Sequence, residues 1–532
     1  MQSRPWTIDA GPVWVYLLSF AALFVRFGYN YAAGDQDELI PLLLSMLDPS
    51  LFQSDWFVQM QSAELGVRTY VVWLLLPFSR ALPIPSVVFV MYLLCWVLVG
   101  SGSFRVARKL VDNRVAAAAA VFLSLGVFHK WTLGGNDLVY TMFVGEMLAW
   151  GLALHGLYYW LEQRDLKAAV LLGVAAWFQL LVGLLLAGAL LIERVWDRAS
   201  AGSAAWHRKN DFLALGVFLL AAMPAILPVA IQQFDALTVD KDLVFYILAP
   251  FRNPFHHMLS SFGQKAIVRF GVMLATGVAA ALYLHRRGRL NEGTRLLRFT
   301  TIVIGLCAIT AIFTEVWPLL IVAKFQAYKL TVVVKLLLLI VIARVLIAAI
   351  PKRIVVLANG LLKRGPAAAI ASSIALIIVL VLAAAKPAFL LPRVTHDLHV
   401  ASDLGKMEGW IRDNTDLNAV FAIPPDNSTF RSNARRAIVV NYPAFPFDDV
   451  DMVVWYERLL DVAPIQPPSS GLGLKPVLNE AFHAQGAIAW RGLKETYDIE
   501  FLLVDESKMT HLHPLERVHA EGFWTLYQLT GQ

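Results

Sequence analysis

The chain has 532 residues, of which 58% are apolar and only 16% charged. Soluble globular domains carry about 25% charged residues, so this composition excludes an ordinary soluble fold. The net charge of +6 does not point to nucleic acid, because the excess Lys and Arg sit in short loops between apolar runs.

Those apolar runs recur from Val13 to Ala385, many near the ~20 residues that cross a bilayer. The first is preceded by Arg4 and lacks a small-residue cleavage site, so it reads as a retained span and not a signal peptide. Five segments are basic: Phe104–Arg114, Glu162–Lys167, Glu193–Asp211, His285–Arg298 and Pro351–Arg364. They hold 19 Lys and Arg against 7 Asp and Glu, which assigns them to the cytoplasmic side. The connections between them are acidic or mixed and face outward. The path that satisfies both has eleven crossings, at roughly 12–33, 84–104, 115–128, 138–160, 168–180, 181–193, 212–231, 266–284, 299–314, 330–350 and 367–386. It starts inside and ends outside. Val67–Leu82 is apolar but breaks the parity, so it is expected as a helix on the outer surface. Ala168–Ile192 is too short for two full spans, so two short helices are expected to meet near Gln179–Gly183 within protein. Cys95 and Cys307 both lie in apolar runs and offer neither a disulfide framework nor metal spacing.

From about Pro392 charged and polar residues rise. "VASDLGKMEGWIRDNT" predicts an amphipathic helix, "NAVFAIPP" and "RAIVVNY" predict strands, and "ETYDIEFLLVDE" predicts a helix end, a turn and a strand. Helices alternating with strands suggest a small α/β domain. The expected fold is a polytopic α-helical membrane protein of about eleven transmembrane helices, residues 1–391, with a C-terminal periplasmic α/β domain, residues 392–532.

The first outward loop is "NYAAGDQDELIPLLLSMLDPSLFQSDWF", with Asp35, Asp37 and Glu38 within four positions. Asp35 and Glu38 are three apart and share a helix face. A helix is predicted from about Glu38 to Leu47, with Pro41 in its first turn, its apolar side in the membrane interface and Asp48-Pro49 ending it. The plain reading is of solvated acids or helix caps. Three acids ahead of an interfacial helix, with Asp55-Trp56 after it, favour chemistry. Carboxylates there suit deprotonation of an acceptor hydroxyl or the holding of a divalent ion.

This loop resembles that of the GT-C superfamily of membrane glycosyltransferases. Asp37-Glu38 and "SDW" at Ser54–Trp56 look like the aminoarabinose transferase and protein O-mannosyltransferase form. The longer string "GDQ…LP…LDPSLF…DWF" and the C-terminal "IPPDNSTFRSNARRAIVVNY" are similar to uncharacterised bacterial members. No Trp-Trp-Asp signature is present, which argues against oligosaccharyl transfer to asparagine. The resemblance implies an enzyme of the bacterial inner membrane. Its donor would be a polyprenyl-phosphate sugar and its acceptor a hydroxyl on a glycan, lipid or protein. Asp35 or Asp37 would act as base, with Glu38 beside them, and the anomeric centre would invert. No cofactor follows, unless a divalent cation such as Mg or Mn sits on Asp35 and Asp37.

A lipid-phosphate leaving group needs cationic partners. In "VAKFQAYKLTVVVK", Lys324 and Lys335 are eleven apart and share a face of a continuous helix, with Lys329 off it. Snorkelling to the headgroups is the plain alternative, but Lys335 falls inside a span, where an ionisable group is a functional candidate. In "APFRNPFHHMLSSF", Arg252 suits a phosphate, and the adjacent His256 and His257 diverge too far to share a metal. In "HKWTLGGNDL", Asp137 is a candidate second acid or a helix cap. Asp55 joins the substrate-binding candidates. Glu146, nine residues into the next span, and Gln179 at the kink would face a common cavity. Arg431, Arg435 and Arg436 are expected to pair with Asp448, Asp449 and Asp451. Two rival readings remain: a glycan ligase or polymerase acting on a lipid diphosphate, for which Arg252 and His256 would matter most, and a lipid-linked sugar transporter. The absence of internal repeats and the clustering of acids at one surface weigh against the transporter.

Overall fold

The computed structural model describes residues 12–200, 208–235, 238–363, 394–395, 402–466, 470–471, 473–509 and 515–529. The helices of the N-terminal part are α1 (Val13–Phe27), α2 (Gln36–Leu47), α3 (Trp56–Ala63), α4 (Thr69–Ser79), α5 (Ile84–Val111), α6 (Arg114–Phe122), α7 (Gly145–Leu161), α8 (Asp165–Phe178), α9 (Leu180–Ser200), α10 (Arg208–Asp235), α11 (Lys241–Tyr246), α12 (Pro254–His257), α13 (Gln264–Arg286), α14 (Gly293–Glu315), α15 (Leu320–Phe325), α16 (Thr331–Ala349) and α17 (Lys352–Lys363).

Among the described residues five stretches are long and apolar enough to cross a membrane: Ile84–Val111, Asn210–Gln233, Gln264–Arg286, Gly293–Glu315 and Leu320–Ala349. Ten of the predicted crossings overlap helices, five of them the long apolar stretches just named, and the eleventh, 367–386, lies outside the described residues. The stretch Val67–Leu82, expected as a helix, holds α4, with Thr69, Val71, Val72 and Leu75 buried. The break expected near Gln179 is present, with Gln179 in extended backbone between α8 and α9. Gly183 makes the fold-back possible: a Cβ there would stand 2.5 Å from the Leu172 carbonyl oxygen. Small residues let helix backbones approach this closely.

Two predicted elements differ. The segment Leu138–Val144 is not helical, so Glu146 sits in the first turn of α7 and not nine residues into a span. The lysine helix is broken: Gln326 takes φ +47° after α15, and a tight turn at Ala327–Leu330 precedes α16. Lys324 and Lys335 therefore do not share a face.

In the C-terminal part, α18 (Asp403–Asn414), α19 (Phe430–Asn433), α20 (Asp449–Val462), α21 (Leu474–His483) and α22 (Ala487–Tyr497) flank a sheet. Tyr29–Asn30 (β1) pairs in parallel with Val394–Thr395 (β2) apart from it. The sheet itself comprises β3 (Val420–Ala422), β4 (Ala437–Ile438), β5 (Ile499–Asp505), β6 (Glu516–Glu521) and β7 (Trp524–Gln528), in the order β4-β3-β5-β7-β6. The β3 pairings are parallel, and β7 runs antiparallel to both its neighbours. Strand side chains alternate between faces. Accordingly Val420, Ala422, Leu502 and Val504 enter one apolar cluster, while Phe421, Ile423, Phe501 and Leu503 enter another. The first cluster also takes in Phe245, Leu248, Phe251 and Ala323, from the loops around α11, α12 and α15. The C-terminal sheet thus shares one core with the segment from α11 to α12 and with α15.

Candidate active site

Helix α2 is an internal element. Every residue from Gln36 to Leu44 is buried, so the expected position in the membrane interface is corrected. The helix also begins two residues earlier than predicted, which puts Pro41 beyond the first turn. Asp35 stands at its N-terminus but its side chain caps nothing. It turns instead to Arg68, whose Nη2 lies 3.0 Å from Asp35 Oδ2. The Nε of the same guanidinium donates to Glu38 Oε2 at 2.8 Å. Asp35 and Glu38 do share a face, and Arg68, just ahead of α4, is what they share it with. Glu38 Oε1 also accepts from the Phe445 backbone N–H at 3.3 Å, which brings in the C-terminal part.

The three acids have different access. The Asp35 side chain is 51% exposed, whereas that of Glu38 is 5% exposed. Asp37 is sealed at 1%. Its Oδ2 accepts from Asn441 Nδ2 at 2.6 Å, and its Oδ1 has no partner. Burial pushes the Asp37 carboxyl up to about 7, against the partial opposition of Arg431 and Asn441. Burial also raises Glu38 despite the Arg68 contact. At Asp35 burial raises the pKa, but Arg68, Lys329 and His256 outweigh it and the net direction is down. Asp35 is ionised at neutral pH and Asp37 is poised to be half protonated.

A stability prediction follows for Asp37. Its folded pKa lies above the ordinary carboxylate value, so the protein loses stability as pH rises from about 4 through about 7. The full linkage is at most roughly 4 kcal/mol. Asp37→Asn should melt with the native protein at pH 4.5 and progressively above it towards pH 8. Melting curves whose separation does not change with pH would refute this.

Lys329 is buried, and its Nζ donates to Glu146 Oε2 at 2.9 Å and to Asn136 Oδ1 at 3.1 Å. His256 Nδ1 donates to the Gly134 carbonyl at 2.6 Å, and His257 Nδ1 to the Ala323 carbonyl at 3.0 Å. The two rings diverge as expected. Gly134 and Gly135 make this possible with φ of +70° and +68°, a conformation that disfavours side chains. Burial pulls His256 down to about 3 and His257 down to about 4, with Lys329 adding to the effect. Both rings are neutral, so His256 presents an Nε2 lone pair. Arg252 donates to the Pro443 carbonyl at 2.7 Å and stacks over Tyr442, 4.7 Å from the ring centre, while its buried Nε has no partner. It also acts on Glu38. Asp35 thus contacts Arg68 and feels the charge of Lys329 and His256, while Arg252 acts on Glu38.

The remaining candidates lie elsewhere. Lys335 is wholly buried in an ion pair with Asp137 and also reaches the Ser124 and Phe128 carbonyls. Asp137 further receives the Lys130 backbone N–H and faces His129, which together with Lys335 hold it charged against its burial. It does not cap a helix. Lys324 pairs with Asp449 at 2.5 Å. Asp55 is buried at the N-terminus of α3, where it caps Val58 N–H at 3.0 Å and meets Arg431 Nε at 2.8 Å. Arg431 therefore pairs with the first loop and not with Asp448, Asp449 or Asp451. Arg436 donates to the Arg412 and Thr415 carbonyls, which also departs from the expected acid pairing. Gln179 lies beside Gly145, whose Cβ position is 2.8 Å from the Phe178 carbonyl oxygen. Asp35 and Asp37 face different partners, and among the described residues no three of His, Cys, Asp and Glu converge as a metal site.

Sequence reasoning missed Arg68 and Asn441. Arg68 had a signal, as a lone Arg at the head of the apolar "TYVVWLLLPF". Asn441 had none.

Residues 402–462 match a family described as a domain of unknown function, DUF6798. No curated protein matches the chain. Among solved structures, the chain is similar to the oligosaccharyltransferase AglB of Archaeoglobus fulgidus in complex with an inhibitory peptide and a dolichol-phosphate. The TM-score is 0.49 at 13% identity, over 93% of this chain and 69% of that one. The same enzyme tethered to an acceptor peptide gives 0.48 at 13% identity, over 93% and 69%. Its complex with Zn and sulfate gives 0.47 at 13% identity, over 93% and 68%. Likeness at this level carries no argument about function.

Proposed function

We infer that this chain is a membrane glycosyltransferase that moves a sugar from a polyprenyl phosphate to an acceptor hydroxyl, with Asp35 as the base. The observation that carries the reading is the contrast within the acid loop: Asp35 is open and ionised, while Asp37 and Glu38 are closed and raised. A base must reach the proton it takes. In the proposed step the acceptor oxygen attacks the anomeric carbon from the face opposite the phosphate. The C–O bond to the lipid phosphate breaks with its electron pair, and the hydroxyl proton passes to an Asp35 carboxylate oxygen. Arg68 keeps that carboxylate ionised and fixed. Charge developing on the leaving phosphate is met by Lys329 and Arg252, and His256 Nε2 accepts from a sugar hydroxyl. Buried, preorganised cations suit such a transition state.

The test is release of free polyprenyl phosphate by the full chain in lipid nanodiscs, offered a panel of polyprenyl-phosphate sugars with a membrane-lipid and glycan extract as acceptor. Turnover is expected with at least one donor and is lost in Asp35→Asn. Turnover only with a lipid diphosphate, insensitive to Asp35→Asn, would replace this reading with a glycan ligase. Lys329→Met is expected to lower kcat by about two orders of magnitude with little change in KM, because its charge is used as the phosphate leaves.

A further inference from the structure

A cavity of about 670 Å³ opens beside the C-terminal end of α1, and no acid lines it. Its walls carry three cations, Arg26, Lys130 and Arg269, together with Trp131, Tyr140 and Met142. The cations come from three separate parts of the chain. Arg26 ends α1, and its Nη1 donates to the Gly126 and Val127 carbonyls at 3.0 and 2.7 Å. Arg269 rides on α13 with its guanidinium 5.8 Å from the Trp131 ring centre. Lys130 lies in the loop after α6 and holds φ +56°, a conformation that costs a side-chain-bearing residue energy. The buried Asp137 holds that loop in place by accepting the Lys130 N–H at 2.5 Å and facing His129 at 3.1 Å. Lys335 neutralises Asp137 from beneath. A buried ion pair thus props a strained, cationic loop against a cavity, and the proposed transfer chemistry uses neither partner.

The cavity is separate from Asp35. Asp35 does not line it, and the Met142 side chain stands between, against Gly34. It is continuous with apolar surface instead. Phe27 of α1 lines it at 43% exposure, and beside Arg269 on α13 the side chains of Ile267, Val268 and Val272 are exposed. A ligand that satisfies both regions has an anionic head and an aliphatic tail.

We propose that this cavity is a lipid site, in which the phosphate of an outer-leaflet phospholipid sits among Arg26, Lys130 and Arg269 while its acyl chains run along α1 and α13. The bound lipid bridges α1 and α13. This is independent of the proposed glycosyl transfer.

Native mass spectrometry of the delipidated full chain tests it, with phosphatidic acid titrated in detergent. Diacylglycerol of the same acyl chains removes the phosphate, and inorganic phosphate removes the tail. The variant is Lys130→Gly/Arg269→Gln, since glycine accepts the backbone at position 130 without strain. Each cation removed should weaken phosphatidic acid binding roughly fivefold. Arg269→Lys should retain it, and Asp35→Asn should bind as the native chain does. The proposal fails if the double variant, shown folded by its melting curve, binds phosphatidic acid within twofold of native. It also fails if diacylglycerol binds equally well, or if inorganic phosphate at equal concentration displaces the lipid.

Discussion

Asp35→Asn is expected to lower kcat about a thousandfold, within the range for removal of a positioned general base, while leaving the fold intact. The second half of that statement is as specific as the first. Asp35 is half exposed, so its contact with Arg68 contributes no more than about 1 kcal/mol. Arg68 keeps its 2.8 Å bond to Glu38 in the variant. A melting point near the native one, with activity gone, is the expected pair of results. The pH dependence distinguishes the two aspartates without any mutation. A base with the lowered pKa of Asp35 is competent throughout the neutral range, so the rate should be flat from pH 5.5 to 8. A base at Asp37 would give a rate that climbs through about pH 7. A rising limb there, together with full activity in Asp35→Asn, would move the chemistry to Asp37.

That choice was not legible in the sequence, for a physical reason. "GDQDE" announces an acid cluster, and three-residue spacing correctly pairs Asp35 with Glu38. Which acid is left open depends on what covers the others. Asp37 is covered by Asn441, 404 positions away, and local pattern cannot report a contact of that range. The long apolar helices of the N-terminal part were legible because hydropathy is a local property, as were α18, β3 and β5 from period and turn residues, whereas the short helices α3, α11, α12 and α17 carry no such signal. The shared face expected for Lys324 and Lys335 is lost at a single residue, Gln326. Phase along a helix is preserved only while the backbone stays helical, and Gln326 leaves it. Lys335 did carry a true signal, since an ionisable group deep in an apolar run needs a partner. Its partner Asp137 is equally visible in the sequence, but as a candidate second acid or helix cap.

The largest expected loss of stability comes from the contact that seats the C-terminal part on the first loop. Arg431 donates to Asp55 through Nε at 2.8 Å and Nη2 at 3.2 Å, and through Nη1 to Asn441 Oδ1 at 3.0 Å. Asn441 passes on to Asp37, and Asp55 Oδ2 also accepts from the Ile438 N–H at 3.0 Å. Arg431 is 1% exposed and Asp55 is fully buried. Two buried charges gain little net energy from each other, but removing one strands the other. Arg431→Ala should therefore cost about 3–5 kcal/mol. If that cost falls on the seating of the sheet domain, the population with the domain lifted off rises by roughly two to three and a half orders of magnitude, at about 1.4 kcal/mol per tenfold. Limited proteolysis in nanodiscs would read this as faster cleavage of the C-terminal part with the helical part left whole. Removing both partners tests the cause. Asp55→Asn/Arg431→Met leaves no stranded charge at position 55 and keeps an acceptor for the Val58 and Ile438 N–H groups, so it should recover much of the loss even though no ion pair is restored. Cleavage as fast in the double variant as in Arg431→Ala would show that the pair itself, and not the avoidance of a buried unpaired acid, holds the domain down. Activity separates a seat from a mere fastening. Asn441 touches both Arg431 and Asp37, and Phe445 touches Glu38. A lifted domain thus uncovers the two acids whose closure leaves Asp35 as the only open one, and the double variant should regain its transfer rate in step with its resistance to protease.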